Sequence, residues 1–174
     1  MPRITLMSIA VVLTVAALGT HAQGPPQTPG GRSRGPVDCA ALAKLAVEEH
    51  TSITSAELVK SGTLVVSEKM TLTDLPPFCR VQGLSKPSSD SSIFFEVWLP
   101  QQANWNTKFL SSGEGGFAGN PNYTRNGLDG GMDELLRRGY ATASTDTGHR
   151  SSDSSWAVGH PDKAIDYLYR AKHL

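Results

Sequence analysis

The residues best suited to chemistry form a glycine-rich stretch, 113–116, directly after a short predicted strand at 107–111. Glycines lack a Cβ, so successive backbone N–H groups can converge on one bound atom. Such donors stabilise the oxyanion that forms when an ester carbonyl is attacked, and losing one donor costs about 3 kcal/mol of transition-state stabilisation. Gly115 and Gly116 are therefore candidate oxyanion-hole donors. Taken alone, the glycines favour a plain tight turn over an oxyanion loop.

Other ligand-binding motifs fit the chain less well. A phosphate loop needs a helix directly after the glycines and usually Lys-Ser or Lys-Thr, whereas Asn-Pro-Asn at 120–122 follows here. The glycine spacing also does not match the GxGxxG of dinucleotide sites. No serine lies in a G-x-S-x-G nucleophile elbow, and HExxH, CxxC and Walker motifs are absent from the sequence. The sequence thus offers an oxyanion loop without a nucleophile and predicts no metal or cofactor site.

A second polar segment, 144–149, follows a compact strand that suits burial on both faces. Ligands of open α/β sheets bind at the carboxyl ends of strands, so Asp146, His149, Trp156 and His160 form a possible pocket. Asp146 and His149 permit an acid–base interpretation, but no serine is placed to pair with them. The favoured interpretation is that Asp146 orders the loop through backbone N–H groups and that the other three residues pack.

The elements that must position these residues are predicted from hydrophobic periodicity and turn signals. Helices are predicted at 38–49, at 131–138 and from Asp162 to the end, and strands at 53–58, 62–69, 78–83, 93–99, 107–111 and 140–144. The last helix is expected to turn Ala164, Ile165, Leu168 and Ala171 toward a core. Strands alternate with helices after Ile93, which predicts an α/β sheet with crossover connections.

The first 22 residues have the layout of a secretory signal peptide, with Arg3, an apolar run and small residues before a cleavage point after Ala22. The run is too short for a membrane span of about 20 apolar residues, so an uncleaved anchor is the weaker alternative. Residues 23–36, rich in proline and glycine, predict a flexible leader. Residues 37–174 suit one domain or part of one. The mature protein is expected to be secreted, or periplasmic in a bacterium.

Charge balance and cysteine content indicate which partners and which covalent cross-link to expect. Lys+Arg and Asp+Glu both number 16, and this balance argues against a nucleic-acid or anionic-membrane partner. Cys39 and Cys79 predict a disulfide in an exported protein, with two free thiols as the weaker alternative. In the chain-entropy model, a disulfide that closes a loop of this length stabilises the folded protein by about 3–4 kcal/mol. Asn122 begins a formal Asn-Tyr-Thr glycosylation sequon.

Six sequence blocks together resemble the tannase and feruloyl esterase family, and they extend over most of 39–174. They are 75–81 (LPPFCRV), 95–100 (FEVWLP), 105–110 (WNTKFL), 115–119 (GGFAG), 138–149 (RGYATASTDTGH) and 156–161 (WAVGHP). The resemblance implies an α/β-hydrolase-type sheet and a secreted serine esterase for aromatic-acid esters of the feruloyl or galloyl type. It maps the oxyanion loop onto the Gly115-Gly116 region and matches Cys39 and Cys79 to an N-terminal disulfide.

In that family the nucleophilic serine lies in a Gly-Cys-Ser-x-Gly-Gly elbow beyond the helix that begins here at Asp162. The acid, the histidine and a lid domain that often binds calcium lie further on. Residues 37–174 are therefore expected to be the N-terminal portion of the catalytic domain, truncated before the nucleophile elbow and inactive alone. The expected partner is a small aromatic ester, with no nucleic acid and no membrane after signal cleavage. The alternative is a non-catalytic secreted binding module or an inactive truncated product.

Overall fold

The computed structural model describes residues 38–60, 62–113, 115–117, 119–124, 130–150 and 153–173. The predicted signal peptide and leader lie outside these ranges, as do Glu114 and Ala118 of the glycine-rich region. Within these ranges, no helix has the length and apolarity that a bilayer crossing requires.

Seven strands succeed one another along the described chain. They are β1 (Thr51–Val59), β2 (Leu64–Ser67), β3 (Met70–Leu72), β4 (Phe78–Ser85), β5 (Ile93–Pro100), β6 (Phe109–Ser111) and β7 (Ala141–Thr145). The helices are α1 (Cys39–Leu42), α2 (Met132–Arg137) and α3 (Pro161–Leu168), with 3-10 turns at Gln102–Asn104, Ser154–Ala157 and Arg170–Lys172.

Five strands form one mixed sheet in the order β1-β4-β5-β7-β6, and β2 pairs with β3 in a separate hairpin. The first four strands of that order are antiparallel neighbours, whereas β6 runs parallel to β7. Parallel neighbours need a crossover connection, and α2 supplies it between β6 and β7. The predicted α/β class is confirmed, although its parallel, crossover part is confined to this pair among the described strands.

Alternate residues of β5 lie on opposite faces of the sheet and belong to two different cores. On one face, Trp98 packs against Phe78 with ring centroids 4.9 Å apart, beside Met132 and Leu136 of α2. The β2–β3 hairpin covers the same core with Leu64 and Leu72.

On the opposite face, Cys39 of α1 forms a disulfide with Cys79 of β4, and their Cα atoms lie 5.6 Å apart. The predicted pairing of these two cysteines is confirmed. Val81, Val97 and Leu99 pack around the cross-link, so the disulfide fixes α1 to the sheet.

Two N-terminal predictions were wrong in extent. The helix expected at 38–49 ends after Leu42, because Leu45 and Val47 beyond it are exposed and give the helix no buried stripe. Short helices need such packing, since nucleating a helix is unfavourable. The strand expected at 62–69 is the hairpin of β2 and β3, whose turn lies at 68–69.

Four residues of the last helix were predicted to face the core, and for two of them the prediction was wrong. Ile165 and Leu168 are 44% and 69% exposed, whereas Ala171 is buried. The fully buried residue of α3 is Asp166, which accepts hydrogen bonds from Ser91 Oγ at 3.0 Å and from Arg170 at 2.9 Å. These polar bonds turn that side of α3, rather than its apolar side, toward the protein.

Candidate active site at the carboxyl edge of the sheet

Two loops leave the same edge of the sheet because β6 and β7 are parallel neighbours. Residues 112–124, called the glycine loop, follow β6, and residues 146–150, called the Asp146 loop, follow β7. The carboxyl ends of parallel strands are where open α/β sheets bind ligands. The glycine-rich stretch and the polar segment after β7, which are separate in the sequence, therefore form one candidate site.

Asn122 closes the base of the glycine loop. Its Nδ2 donates to Ser112 Oγ at 2.8 Å and to the Gly113 carbonyl at 3.2 Å, and its backbone N–H donates to Ser144 Oγ at 2.8 Å. Ser112 Oγ in turn donates to the Gly130 carbonyl at 3.1 Å. Asn122 is 0% exposed, so the sequon lies where the folded protein has no room for a glycan.

A buried carboxylate anchors the residue that follows Asn122. Glu96 of β5 is fully buried and accepts hydrogen bonds from Arg80 at 2.6 and 2.9 Å, Trp98 Nε1 at 2.8 Å, Gln82 Nε2 at 2.9 Å and Tyr123 Oη at 2.8 Å. Burial and the nearby Glu96 charge raise the pKa of Tyr123 well above its ordinary value. Burial lowers the pKa of Arg80, but the hydrogen bond to Glu96 and the charges of Glu96 and its neighbours together outweigh burial, so the pKa of Arg80 is raised.

The tip of the glycine loop is open to solvent. Gly115 and Gly116 are exposed, and a Cβ built on either would meet no atom within 4 Å. Gly116 has a φ of +66°, a left-handed conformation that favours glycine. Among the described residues, neither glycine donates its N–H to a protein acceptor. Their assignment as oxyanion donors stays a prediction, and the open tip leaves these N–H groups available to a ligand.

Two side chains hold the tip in place through its carbonyl groups. Tyr167 Oη of α3 donates to the Gly116 carbonyl, and His149 Nε2 lies 3.2 Å from the Phe117 carbonyl. The Phe117 ring also contacts Trp156 edge-on, with centroids 6.3 Å apart. These contacts engage carbonyl oxygens of the loop and not its N–H groups.

Asp146 is used to order its own loop. It is buried, and its Oδ1 accepts the backbone N–H groups of Phe94 at 3.0 Å and Gly148 at 2.9 Å. Its Oδ2 lies 3.4 Å from Arg150 Nε. Burial raises the pKa of Asp146, and these hydrogen bonds and the Arg150 charge offset the increase only in part. The geometry matches the loop-ordering interpretation of Asp146.

His149 has both ring nitrogens occupied. Its Nε2 must carry the proton toward Phe117, because a carbonyl can only accept, and its Nδ1 lies 3.1 Å from Thr147 Oγ1. The ring is buried and stacks on Trp156 with centroids 4.1 Å apart. Such a histidine holds two loops together and has no ring nitrogen turned to an incoming substrate.

His160 has a different partner from the other pocket candidates. Its Nδ1 lies 2.9 Å from the Asp90 carboxylate, and both side chains are partly exposed. The structure thus brings His149 and Trp156 into direct contact beside Asp146, and it engages His160 in a surface pair. Within the described residues, no group of three or more His, Cys, Asp or Glu side chains converges to hold a metal ion.

A cavity of about 400 Å³ opens beside these loops. Its wall combines the β2–β3 hairpin, the start of β5 and the ends of both loops, and it includes Val66, Met70, Phe94, Pro121, Tyr123 and Arg150. Sequence reasoning missed this cavity because its wall comes from four separate segments. The buried Glu96 did leave a signal, a single acidic residue inside the apolar strand 93–99.

Comparison with solved structures defines the fold class of the described sheet and its helices. The crystal structure of feruloyl esterase B from Aspergillus oryzae matches with a TM-score of 0.66 and 30% identity over 78% of this chain and 26% of that chain. The crystal structure of another esterase from Aspergillus oryzae matches with a TM-score of 0.66 and 25% identity over 78% of this chain and 27% of that chain. The fold is thus a portion of an α/β-hydrolase-type fold.

Sequence comparison identifies the family. The tannase and feruloyl esterase family matches residues 79–174. A protein named an uncharacterized esterase, from Xanthomonas campestris pv. campestris, is 47% identical over 135 residues, which are 76% of this chain and 22% of that protein. A protein named "Probable feruloyl esterase B-1", from Neosartorya fischeri, is 37% identical over 97 residues, or 55% of this chain and 17% of that protein. The chain belongs to the tannase and feruloyl esterase family, and it spans about a quarter or less of the length of these relatives.

Proposed function

We propose that this chain is part of a carboxylic ester hydrolase that cleaves aromatic-acid esters of the feruloyl or galloyl type. The observation that carries the proposal is the glycine loop at the carboxyl end of β6, where the N–H groups of Gly115 and Gly116 bind no acceptor among the described residues. One oxyanion donor of α/β hydrolases comes from a loop in this position. Membership of an esterase family supports the same chemistry.

The proposed reaction is acyl transfer through a serine. The serine oxygen attacks the ester carbonyl while a histidine takes its proton, and the carbonyl oxygen becomes an oxyanion. Gly115 or Gly116 N–H donates to that oxyanion, the alcohol leaves with the proton, and water then releases the acid. The serine, histidine and acidic residue are proposed to lie in the part of the family's catalytic domain that follows residue 174.

The role of the described residues is to hold the donors still. Asn122 fixes the base of the glycine loop, and His149 and Tyr167 fix its tip. Donors that are oriented before the reaction need no rearrangement when charge develops, which is the main source of their catalytic effect. Export by the signal at 1–22, to the cell exterior or to a bacterial periplasm, is part of the same proposal. A small aromatic ester is the proposed substrate.

A chimera tests the function directly. Residues 79–174 replace the matching segment of the Aspergillus oryzae feruloyl esterase B, and hydrolysis of methyl ferulate is followed with and without a serine-directed inhibitor. We expect inhibitor-sensitive turnover by the chimera and none by the 174-residue chain alone. An inactive but folded chimera contradicts the proposed function, and turnover by the chain alone contradicts the proposed position of the triad.

The oxyanion role has a matched control in the same chain. Gly116→Ala strains a left-handed backbone, and Gly159→Ala imposes a similar strain at a φ of +77°, also with open space for the added Cβ. Gly116→Ala keeps the backbone N–H, but relief of the strained φ is expected to turn this N–H away from the oxyanion. Because loss of a donor lowers kcat by roughly 100-fold, Gly116→Ala is expected to reduce the kcat of the chimera far more than Gly159→Ala. Equal effects of the two substitutions would argue that the glycine loop is only a turn.

A non-catalytic binding module is the second candidate, and the cavity beside the Asp146 loop favours it. It requires the 174-residue chain to stay monomeric as its concentration rises. An esterase portion is instead expected to self-associate, because β6 lies at an edge of the sheet with Phe109 60% and Leu110 42% exposed. Light scattering coupled to gel filtration separates the two candidates.

A further inference from the structure

We propose that Tyr123 is a positioning residue for the oxyanion donors, because its hydroxyl ties the C-terminal limb of the glycine loop to the buried Glu96 carboxylate. The inference rests on the proposed function for the reaction and adds a residue to it. The role assigned to Tyr123 is to orient the loop and not to contact the substrate.

Tyr123 is held in the core by its ring and by its hydroxyl. The residue is 9% exposed, and its ring stacks on Trp98 with centroids 6.1 Å apart. The hydroxyl donates to Glu96 Oε1 at 2.8 Å. Because a carboxylate can only accept, the phenol must be the donor, and the raised pKa of Tyr123 keeps this proton in place at neutral pH. A residue of the glycine loop is thus bonded to the middle strand of the sheet.

Glu96 is a fixed anchor for this bond. It is fully buried on β5, the third of the five strands in the sheet. Arg80 donates to both carboxylate oxygens, at 2.6 and 2.9 Å, and Trp98 Nε1 donates to Oε2 at 2.8 Å. Gln82 Nε2 donates to Oε1 at 2.9 Å. The carboxylate cannot turn without breaking several bonds of this network at once, so the bond to Tyr123 has a defined position and direction.

Backbone hydrogen bonds hold the same limb against the neighbouring elements. The Tyr123 carbonyl accepts the Asp133 N–H at 3.0 Å, and the Asn122 carbonyl accepts the Met132 N–H at 2.9 Å, both at the start of α2. The Asn122 N–H donates to Ser144 Oγ of β7 at 2.8 Å. None of these bonds involves the Tyr123 side chain. A variant without the hydroxyl therefore keeps the limb on β7 and α2 and loses only its tie to the interior of the sheet.

The contacts of Asn122 pass the orientation of this limb on to the donors. Its Nδ2 donates to Ser112 Oγ at 2.8 Å and to the Gly113 carbonyl at 3.2 Å. Gly113 lies two positions before Gly115, the first candidate donor. Misplacement of a catalytic group by about 1 Å can lower the rate about 100-fold. A rotation of the limb is therefore expected to move the N–H groups of Gly115 and Gly116 away from the oxyanion.

Kinetics of the chimera separate positioning from stability. Tyr123→Phe keeps the ring against Trp98 and removes only the hydroxyl. Gln82→Met is the matched control, because it also removes one donor to Glu96 Oε1, but from β4 and not from the glycine loop. Both variants are expected to lower the urea midpoint of the chimera.

Only the loop variant is expected to slow the reaction. Tyr123→Phe should lower kcat for methyl ferulate roughly 10- to 100-fold and leave KM unchanged, because the oxyanion forms only on the way to the intermediate. Gln82→Met should retain the kcat of the parent chimera. An unchanged kcat in Tyr123→Phe would overturn the proposal, as would an equal fall of kcat in both variants or an effect confined to KM.

The amide signals of the two glycines provide a test that needs no turnover. In proton–nitrogen NMR spectra of the 174-residue chain, the Gly115 and Gly116 signals are expected to shift or broaden in Tyr123→Phe and to stay in place in Gln82→Met. Unmoved signals in a folded Tyr123→Phe chain would overturn the proposal.

The two experiments distinguish this inference from the proposed function. An active chimera whose kcat does not respond to Tyr123→Phe rejects the inference alone. An inactive but folded parent chimera rejects the proposed function, and the glycine signals of the 174-residue chain then still decide whether Tyr123 orients the loop.

Discussion

The side chains of Ser112 and Asn122 meet at 2.8 Å although ten residues separate them, and this contact closes the base of the glycine loop. Both residues are buried, and Asn122 also donates to the Gly113 carbonyl. The loop therefore has a closed, dehydrated base and an open tip. This arrangement makes the base a source of stability and leaves the tip free for a ligand.

Substitution of this pair is expected to be strongly non-additive. Asn122→Ala leaves buried acceptors without a donor, which costs about 1–3 kcal/mol, and Ser112→Ala removes the same contact from the other side. The double variant should lose less than the sum of the two single losses, because residues in one hydrogen-bond network are coupled. Urea unfolding of the four proteins measures the coupling. The exposed Asn104→Ala is the control, and strictly additive losses would contradict the closed-base description.

Replacing Glu96 should destabilise the protein far more than replacing Glu57, although both contact Arg80. Glu96 is fully buried at 2.6 Å from Arg80, whereas the Glu57 side chain is 58% exposed at 3.7 Å. Breaking a buried pair costs about 3–5 kcal/mol, and an exposed pair contributes about 0–1 kcal/mol. Guanidinium unfolding of Glu96→Gln and Glu57→Gln makes the comparison. Similar midpoints for the two variants would show that the buried network contributes little.

The raised pKa of Asp146 predicts the sign of a pH dependence. The folded protein holds this proton more tightly than the unfolded chain, whose aspartate pKa is about 4. Its contribution to stability is complete below that value and is lost as pH rises through the folded-state pKa. Relative to Asp146→Asn, the wild type should thus lose unfolding free energy as pH rises from 4. Urea unfolding at several pH values checks the sign, and parallel curves would contradict it.

Reduction of the Cys39–Cys79 disulfide should lower stability by about 3–4 kcal/mol, because the bond closes a long loop of the unfolded chain. The thermal midpoint of the wild type should fall when reductant is added. The Cys39→Ser, Cys79→Ser double variant should match the reduced wild type and should not respond to reductant. A wild type that melts at the same temperature with and without reductant would contradict the expected contribution.

Local sequence patterns were sufficient to predict the positions of most helices and strands. Strands β4, β5 and β7 and helix α2 lie where runs of β-forming or periodic apolar residues predicted them. The face of α3 was not predictable in this way, because its orientation depends on Asp166 meeting Ser91, a residue 75 positions away. The length of α1 likewise depends on tertiary packing, which the apolar residues Leu45 and Val47 do not obtain.

The candidate site was predictable only in its local parts. The glycines at 115–116 and the polar segment 144–149 have recognisable compositions, so they stood out in the sequence. Asn122 has no local signal, because its role arises when β6 and β7 pair and bring two loops together. Asn122 in particular was visible only as a sequon, a pattern that carries no information about burial.

The burial of Asn122 has a consequence for the cell that makes the protein. Hosts that glycosylate Asn-X-Thr sites attach the sugar to the growing chain as it enters the secretory pathway. The attachment can then precede the closure of the glycine loop, and a glycan on Asn122 Nδ2 would occupy the atom that must bind Ser112. In such a host, sugar transfer to Asn122 competes kinetically with folding. A chain that is glycosylated before it folds cannot reach this native state.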